Sequence, residues 1–282
     1  MNEGTSFEGL PTSDPEPSRF ERAAGILAYV DEGPRHAPAL LAVHGIPGSV
    51  RDFRYLAPQL VPRVRAVRVD LPGFGGSPEH APAVGSLEGR ASALVDLADH
   101  LEIERFAVLG HSMGGATALM TASRHRDRVT ALVLLASVGL RPHRGLGMSP
   151  LRFRLLGRGF KVPLLRHLLV QAARDRYRRR RFPGADEIEA RTFAIHFEAI
   201  GAADFALLRR LVEGPLPPVL MAFARDDHMV DAAIQDELAA ALRNRRVLAF
   251  ETGGHNIQKT RAVELGQAIG ELLESATGIV HP

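Results

Sequence analysis

The hydrophobic residues of the chain fall into short apolar runs, separated by segments in which apolar residues recur at helical spacing. Runs of this length are typical of buried strands, and the segments between them are long enough for helices. This alternation predicts an α/β fold, a mostly parallel sheet flanked by helices, whose first strand lies at an edge. The predicted strands are 25–30, 39–43, 64–69, 105–109, 130–136, 217–224 and 246–251, and the clearest helices are 52–60, 87–101 and 262–273.

A serine between two glycines follows the strand at 105–109. The sequence Gly110-His-Ser-Met-Gly114 then runs directly into residues at helical spacing. This order is typical of a nucleophile elbow, whose strained turn lifts the serine hydroxyl out of the sheet. The glycines remove the Cβ atoms that would clash when such a turn closes. Ser112 is therefore the predicted nucleophile.

A second loop, at residues 44–48, follows the strand at 39–43 and is expected near the elbow. Acyl transfer needs backbone N–H groups directed at the charge that develops on the carbonyl oxygen. Pro47 has no N–H group to offer. Ile46 and Met113 are therefore the predicted oxyanion donors.

A serine hydroxyl also needs a histidine base and a carboxylate that orients the base. Asp226 and Asp227 follow the strand at 217–224, and His255 follows the strand at 246–251. In open α/β sheets, ligands bind beyond the carboxyl ends of the strands. We therefore expect the serine, a carboxylate and the histidine to meet at this edge.

These motifs together resemble those of the α/β-hydrolase superfamily, over roughly residues 24–275. In that superfamily the acid lies three residues beyond a small residue that closes the strand, which through Ala224 implies Asp227. Asp226 and Asp231 are weaker candidates. The resemblance implies the α/β-hydrolase fold with a helical cap and a catalytic Ser112, Asp227 and His255. The matching positions are His44-Gly45, Asp70-Leu-Pro-Gly-Phe-Gly-Gly-Ser77, the Ser112 elbow, Asp227 and Gly254-His255.

The resemblance further implies a serine hydrolase that cleaves an ester or related acyl bond of a small molecule without a cofactor. A serine at position 112 disfavours the dehalogenase and epoxide-hydrolase branches, which use aspartate there. Carbon–carbon bond hydrolases, lactonases and perhydrolases share the triad and stay open. A protein that binds a small molecule without turning it over also stays open.

Four residues near the motifs are predicted to have structural roles. His44 is expected to hydrogen-bond backbone beside the oxyanion loop, and Asp70 to hold the turn at 72–73. His111 is expected to pack beside the nucleophile. His228 is expected either in a surface loop or next to the acid.

The composition of the chain excludes some kinds of site and some locations. The 282 residues include no cysteine, which excludes disulfides and thiol nucleophiles, and no His, Asp and Glu grouping has metal-ligand spacing. Residues 1–20 lack the features of a signal peptide and are predicted to be a disordered tail. No apolar stretch is long enough to cross a bilayer, so we predict a cytoplasmic protein.

Residues 141–214 interrupt the alternation and are interpreted as a helical cap between core segments 21–140 and 215–282. The cap carries 16 basic and 7 acidic residues. Its densest basic cluster, 174–181, is interpreted as a solvated helix face, and no nucleic-acid partner is predicted. An alternative is that Arg152 or Arg154 holds an anionic group of the substrate.

Overall fold

The structure, a computed structural model, describes residues 14–78, 86–179, 186 and 188–277. Eight strands within these residues form one sheet in the order β1-β2-β4-β3-β5-β6-β7-β8. The pairs β1–β2 and β2–β4 are antiparallel, and all other neighbours are parallel. The predicted fold class is confirmed. The strands are β1 (Ser18–Arg22), β2 (Gly25–Glu32), β3 (Ala39–Val43), β4 (Arg65–Val69), β5 (Phe106–His111), β6 (Val129–Leu135), β7 (Val219–Ala224) and β8 (Arg245–Phe250).

The helices connect these strands, and two of the three predicted ones are confirmed, as α2 and α10. The predicted helix at 52–60 is instead a 3-10 helix, Val50–Phe53, followed by the short α1. Pro58 explains the break, because it has no N–H to continue the hydrogen-bond ladder. The helices of the described residues are α1 (Ala57–Leu60), α2 (Leu87–His100), α3 (Gly114–Arg124), α4 (Pro150–Gly159), α5 (Pro163–Arg179), α6 (Ala190–Gly201), α7 (Phe205–Glu213), α8 (Ala232–Ala241), α9 (Ile257–Thr260) and α10 (Ala262–Thr277).

The central strands are buried from end to end, as their uninterrupted apolar runs indicate. Two buried arginines on β4 interrupt this apolar pattern, and each is paired with a carboxylate. Arg65 donates to both carboxylate oxygens of Asp31, at 3.0 and 2.8 Å. Arg68 donates to Asp14 at 2.7 Å and forms an ion pair with Glu32, also at 2.7 Å. Burial of these charges is tolerated because each has a carboxylate partner.

The edge of the sheet differs from the prediction. Residues 25–30 do form a strand, but β1 lies outside it, with Ser18 opposite Tyr29 and Arg22 opposite Gly25. Residues 18–20 of the predicted disordered tail therefore belong to the sheet, whereas residues 1–13 lie outside the described residues. The strand was missed because its alternating sequence, Ser-Arg-Phe-Glu-Arg, is mostly polar. Its one apolar ring, Phe20, stacks on His100 at 4.2 Å.

The chain divides into two units, which we call the sheet unit (Met1–Gly145 with Phe205–Pro282) and the helical unit (Leu146–Asp204). The described part of the helical unit contains α4, α5 and α6 and no strand. Its core is aromatic: Phe153, Phe160, Phe193 and Phe197 pack against one another. The predicted cap, 141–214, extends beyond this unit at both ends, and residues 180–185 and 187 lie outside the described residues.

Candidate active site

Ser112 occupies a sharp turn between β5 and α3. Its φ of +52° lies in the left-handed region, which is costly for a residue with a Cβ atom. Three hydrogen bonds hold its backbone there: its N–H donates to Leu135 at 3.0 Å, and its carbonyl accepts from Gly115 and Val138 at 3.0 and 3.2 Å. The turn has the geometry expected of a nucleophile elbow, and the serine side chain is only half-buried.

The two glycines that flank the turn allow backbone segments to come unusually close. A Cβ atom on Gly110 would lie 2.4 Å from the carbonyl oxygen of Gly114, and one on Gly114 would lie 2.4 Å from that of His44. No relaxed Cβ contact is this short, and the obstructing atoms are backbone. The sequence Gly-x-Ser-x-Gly is therefore a packing requirement of this turn.

A continuous hydrogen-bond path joins Ser112 to a carboxylate. Ser112 Oγ lies 2.9 Å from His255 Nε2, and His255 Nδ1 lies 2.8 Å from Asp227 Oδ2. A carboxylate only accepts, so Nδ1 carries the proton and Nε2 is left to accept from the serine hydroxyl. The structure thus brings together three of the predicted site residues, which follow β5, β7 and β8 at one edge of the sheet.

Asp227 is the carboxylate that reaches the histidine. Its side chain is fully buried, and its other oxygen, Oδ1, accepts from the N–H groups of Met229 and Val230 at 2.7 and 3.1 Å. Burial raises the pKa of Asp227, but the hydrogen bonds and charge of His255 together with the two N–H groups lower it below its usual value. The carboxylate is therefore held ionised at neutral pH.

The two weaker candidates for the acid have other partners. Asp226 is exposed and accepts from the Gly254 N–H at 2.8 Å, which braces the loop that carries His255. Asp231 pairs with Arg144. His228 is exposed, as expected for a surface loop residue.

The loop at 44–48 lies against the elbow, since a Cβ atom on Gly45 would come within 3.1 Å of Ser112 Cβ. Met113 is the N-cap of α3, where N–H groups have no partner inside the helix. Among the described residues, neither the Ile46 nor the Met113 N–H has a hydrogen-bond acceptor. Both predicted oxyanion donors are thus unpaired backbone groups on segments that touch at Ser112.

His44 has the structural role expected of it, whereas Asp70 holds Val50 and Gly76 instead of the turn at 72–73. His44 Nε2 accepts from the Leu71 N–H at 2.9 Å, and its Nδ1 donates to the Gly45 carbonyl at 2.6 Å. Asp70 accepts from the N–H groups of Val50 and Gly76 at 2.6 and 2.7 Å. These bonds fix the two loops that follow β3 and β4.

His111 packs against His255. Its Nε2 donates to the carbonyl oxygen of His255 at 2.9 Å, and the two rings lie 5.0 Å apart. Burial, with a smaller effect from the neighbouring charge of His255, lowers the pKa of His111 to about 3. His111 is therefore neutral and positions the backbone of His255 without competing for its proton.

Sequence reasoning missed two features near the site. His143, in the loop after β6, donates from Nδ1 to the Met229 carbonyl at 2.9 Å, and burial lowers its pKa. Asp52 and Lys259 form an ion pair at 3.7 Å, which joins the segment after the oxyanion loop to α9. Burial raises the pKa of Asp52. These contacts join distant parts of the chain, so no local pattern signals them.

Within the described ranges, no three His, Asp or Glu side chains are grouped so that they could hold a metal ion. No described helix combines the length and apolarity needed to cross a membrane. Arg154, one of the two residues predicted to bind an anionic group, donates to the Gly201 carbonyl at 3.1 Å. Arg152 is exposed, and its role stays a prediction.

Comparison with known proteins agrees with this geometry. A family model described as the alpha/beta hydrolase fold matches residues 38–154. The enol-lactonase from Burkholderia xenovorans LB400 has the same fold, with a TM-score of 0.72 at 24% identity over 91% of this chain and 99% of that one. The chain therefore has the α/β-hydrolase fold, and its segment 38–154 is similar to that family.

Two relatives are similar in sequence. The chain is 28% identical over 281 residues to 2-hydroxymuconate semialdehyde hydrolase of Pseudomonas sp. (strain CF600), a match that covers 94% of this chain and 97% of that protein. It is 35% identical over 126 residues to the dihydrolipoyllysine-residue acetyltransferase component of the acetoin cleaving system of Pseudomonas putida. The latter match covers 45% of this chain and 34% of the relative, so the chain spans about a third of that relative's length. The relatives support an enzyme of the α/β-hydrolase type.

Proposed function

We propose that the chain is a serine hydrolase that cleaves an ester or related acyl bond of a small molecule through an acyl-enzyme on Ser112. The observation that carries the proposal is the hydrogen-bond path from Ser112 Oγ through both nitrogens of His255 to Asp227. A nucleophile, a base in the right tautomer and a buried ionised carboxylate are the parts that acyl transfer needs.

In the first half of the reaction, Ser112 Oγ attacks the carbonyl carbon and His255 Nε2 takes the hydroxyl proton. Asp227 stabilises the imidazolium that forms, and the Ile46 and Met113 N–H groups stabilise the oxyanion. When the intermediate collapses, the bond to the leaving group breaks and His255 returns the proton to that group. Water then attacks the acyl-enzyme with His255 again as base, which releases the acid and restores Ser112.

A second candidate is cleavage of a carbon–carbon bond or a lactone by the same three residues. The near-full-length match to 2-hydroxymuconate semialdehyde hydrolase and the fold shared with an enol-lactonase favour it. Fold and triad do not separate these substrates. A screen of aryl esters, lactones and vinylogous diketones would rank them by kcat/KM.

Covalent labelling with a fluorophosphonate probe, mapped by mass spectrometry, tests the proposal. We expect one label on Ser112, absent in Ser112→Ala and strongly reduced in His255→Ala. Ser123→Ala is the matched control, because Ser123 lies at the far end of α3, about three turns from the elbow, and should leave labelling unchanged. A folded wild-type protein that takes no label would favour a non-catalytic, small-molecule-binding protein instead.

A further inference from the structure

Two consecutive helices of the helical unit expose large apolar side chains. Leu151 and Leu155 lie one turn apart on α4, and Leu164 and Leu168 lie one turn apart on α5. Leu164 is 86% exposed, an extreme value for a leucine. We define the α4–α5 apolar surface as the six side chains Leu151, Leu155, Val162, Leu164, Leu165 and Leu168, each 44–86% exposed.

These residues are not the core side of their helices. On α4 the buried positions are Phe153, which packs in the aromatic core, and Gly157, whereas Leu151 and Leu155 are exposed. The whole stretch 161–168, which opens α5, is exposed. A helix that is apolar both inside and outside has more apolar surface than its own unit can bury, and such surfaces mark interaction sites.

The segment that carries this surface has charged side chains of one sign. Residues 146–174 contain no aspartate or glutamate. Among the described residues, only Lys161 of the basic side chains in that stretch pairs with a carboxylate, Glu198 at 3.0 Å. No carboxylate in the described part of the chain pairs with the other five. The basic residues of the stretch are Arg152, Arg154, Arg158, Lys161, Arg166 and Arg174.

We propose that the α4–α5 apolar surface docks peripherally onto an anionic lipid bilayer. The leucines would enter the boundary between headgroups and acyl chains, and the arginines would meet the lipid phosphates. Helices with leucines on an outer face and basic residues around them bind membrane interfaces in this way. A second copy of the chain is a poorer occupant, because a two-fold contact would bring the same positive charge against itself. The proposal does not depend on the proposed reaction.

Co-sedimentation of the full chain with vesicles tests the docking. We expect binding to phosphatidylcholine vesicles that contain phosphatidylglycerol, and binding at least about tenfold weaker to phosphatidylcholine alone. Leu164→Ser with Leu168→Ser should weaken binding about tenfold or more, and so should Leu151→Ser with Leu155→Ser. The double variant Arg152→Gln with Arg158→Gln should bind the anionic vesicles more weakly and should bind phosphatidylcholine vesicles as the wild type does. Val263→Ser is the matched control, because Val263 is 60% exposed on α10 of the sheet unit.

Three results would overturn the proposal. The first is no binding to anionic vesicles, and the second is binding that both leucine pairs leave unchanged. The third is a dimer, seen by light scattering, that the leucine pairs dissociate, because that would make a second copy the occupant. Circular dichroism shows whether each variant is folded. If one leucine double variant does not fold, the other still tests the proposal.

Discussion

The sheet unit and the helical unit distribute their polar and apolar residues in opposite ways. In the sheet unit, β5 is buried at every position and the buried Asp227 carboxylate has three hydrogen-bond donors. In the helical unit, leucines lie in solvent while Tyr177 and His196 form a buried hydrogen bond. The comparison teaches that the sheet unit contains the candidate site, whereas the helical unit leaves several large apolar side chains exposed.

The largest effect should come from the carboxylate that orients His255. We expect Asp227→Asn to lower kcat by about 10³-fold or more, because an amide cannot hold the same tautomer or stabilise the imidazolium. Asp226→Asn is the matched control, since its oxygen accepts only from the Gly254 N–H, and it should cost less than about tenfold. Ester-hydrolysis kinetics measure both, and a larger loss in the Asp226 variant would reverse the assignment.

The next effect concerns the packing of the elbow. Gly110→Ala should lower the free energy of unfolding by about 3 kcal/mol, because its Cβ would meet backbone atoms at 2.4 Å. Gly270→Ala is the control, since the nearest atom to its Cβ, at 3.3 Å, is the flexible end of Arg63. Inside α10 that change should stabilise by about 0.5–1 kcal/mol. Urea unfolding checks both, and equal effects would refute the packing requirement.

A further effect should appear on acidification, and we expect one histidine from each unit to contribute to it. Burial lowers the pKa of His111 and His196 to about 3, with His255 and Arg176 as the next causes. Between that value and the unfolded value of about 6.5, only the unfolded chain binds the protons, so stability falls as pH falls. Each histidine should contribute about 1.4 kcal/mol per pH unit in that window.

Histidine-to-glutamine variants separate the two contributions. His111→Gln and His196→Gln should each flatten the dependence of the free energy of unfolding on pH below about 6.5. Urea unfolding across pH 7 to 4 measures the slopes. A slope that neither variant changes would show that other groups control acid stability.

The smallest effect should come from the exposed leucines. Leu164→Ala should change the free energy of unfolding by less than about 0.5 kcal/mol, because its side chain is 86% exposed. Leu109→Ala, at a fully buried position of β5, should cost about 2–5 kcal/mol. Thermal or urea unfolding tests the pair, and a large cost at Leu164 would mean that this leucine is part of a folded core.

How far the sequence could predict the molecule depends on the range of the interactions involved. The central strands were predictable because burial on both faces requires uninterrupted apolar runs. β1 was not, because five mostly polar residues gain their stability from pairing with β2. Ser112 was predictable from five consecutive residues. The choice between Asp226 and Asp227 depends on how the turn after β7 closes, and only the spacing typical of the superfamily pointed to Asp227.

Contacts between distant segments had no signal in the sequence. The ion pair of Asp52 with Lys259 joins residues more than 200 positions apart. The bond from His111 to the His255 carbonyl is similar, since local sequence places His111 only beside the nucleophile. The exposure of Leu164 was equally hidden, because apolar residues at helical spacing normally predict a buried face.

The chain leaves the sheet unit after β6, at Gly145, and returns to it at the start of α7, at Phe205. α7 belongs to the sheet unit and packs on α3, and β6 and β7 are parallel neighbours. Residues 136–145 and 205–218 thus already supply the helix-containing connection that parallel strands require. The helical unit is therefore an insertion that the sheet unit does not need to connect its strands. Recombination at its two ends can exchange it while the sheet keeps the candidate site, so one site can be combined with many different surfaces.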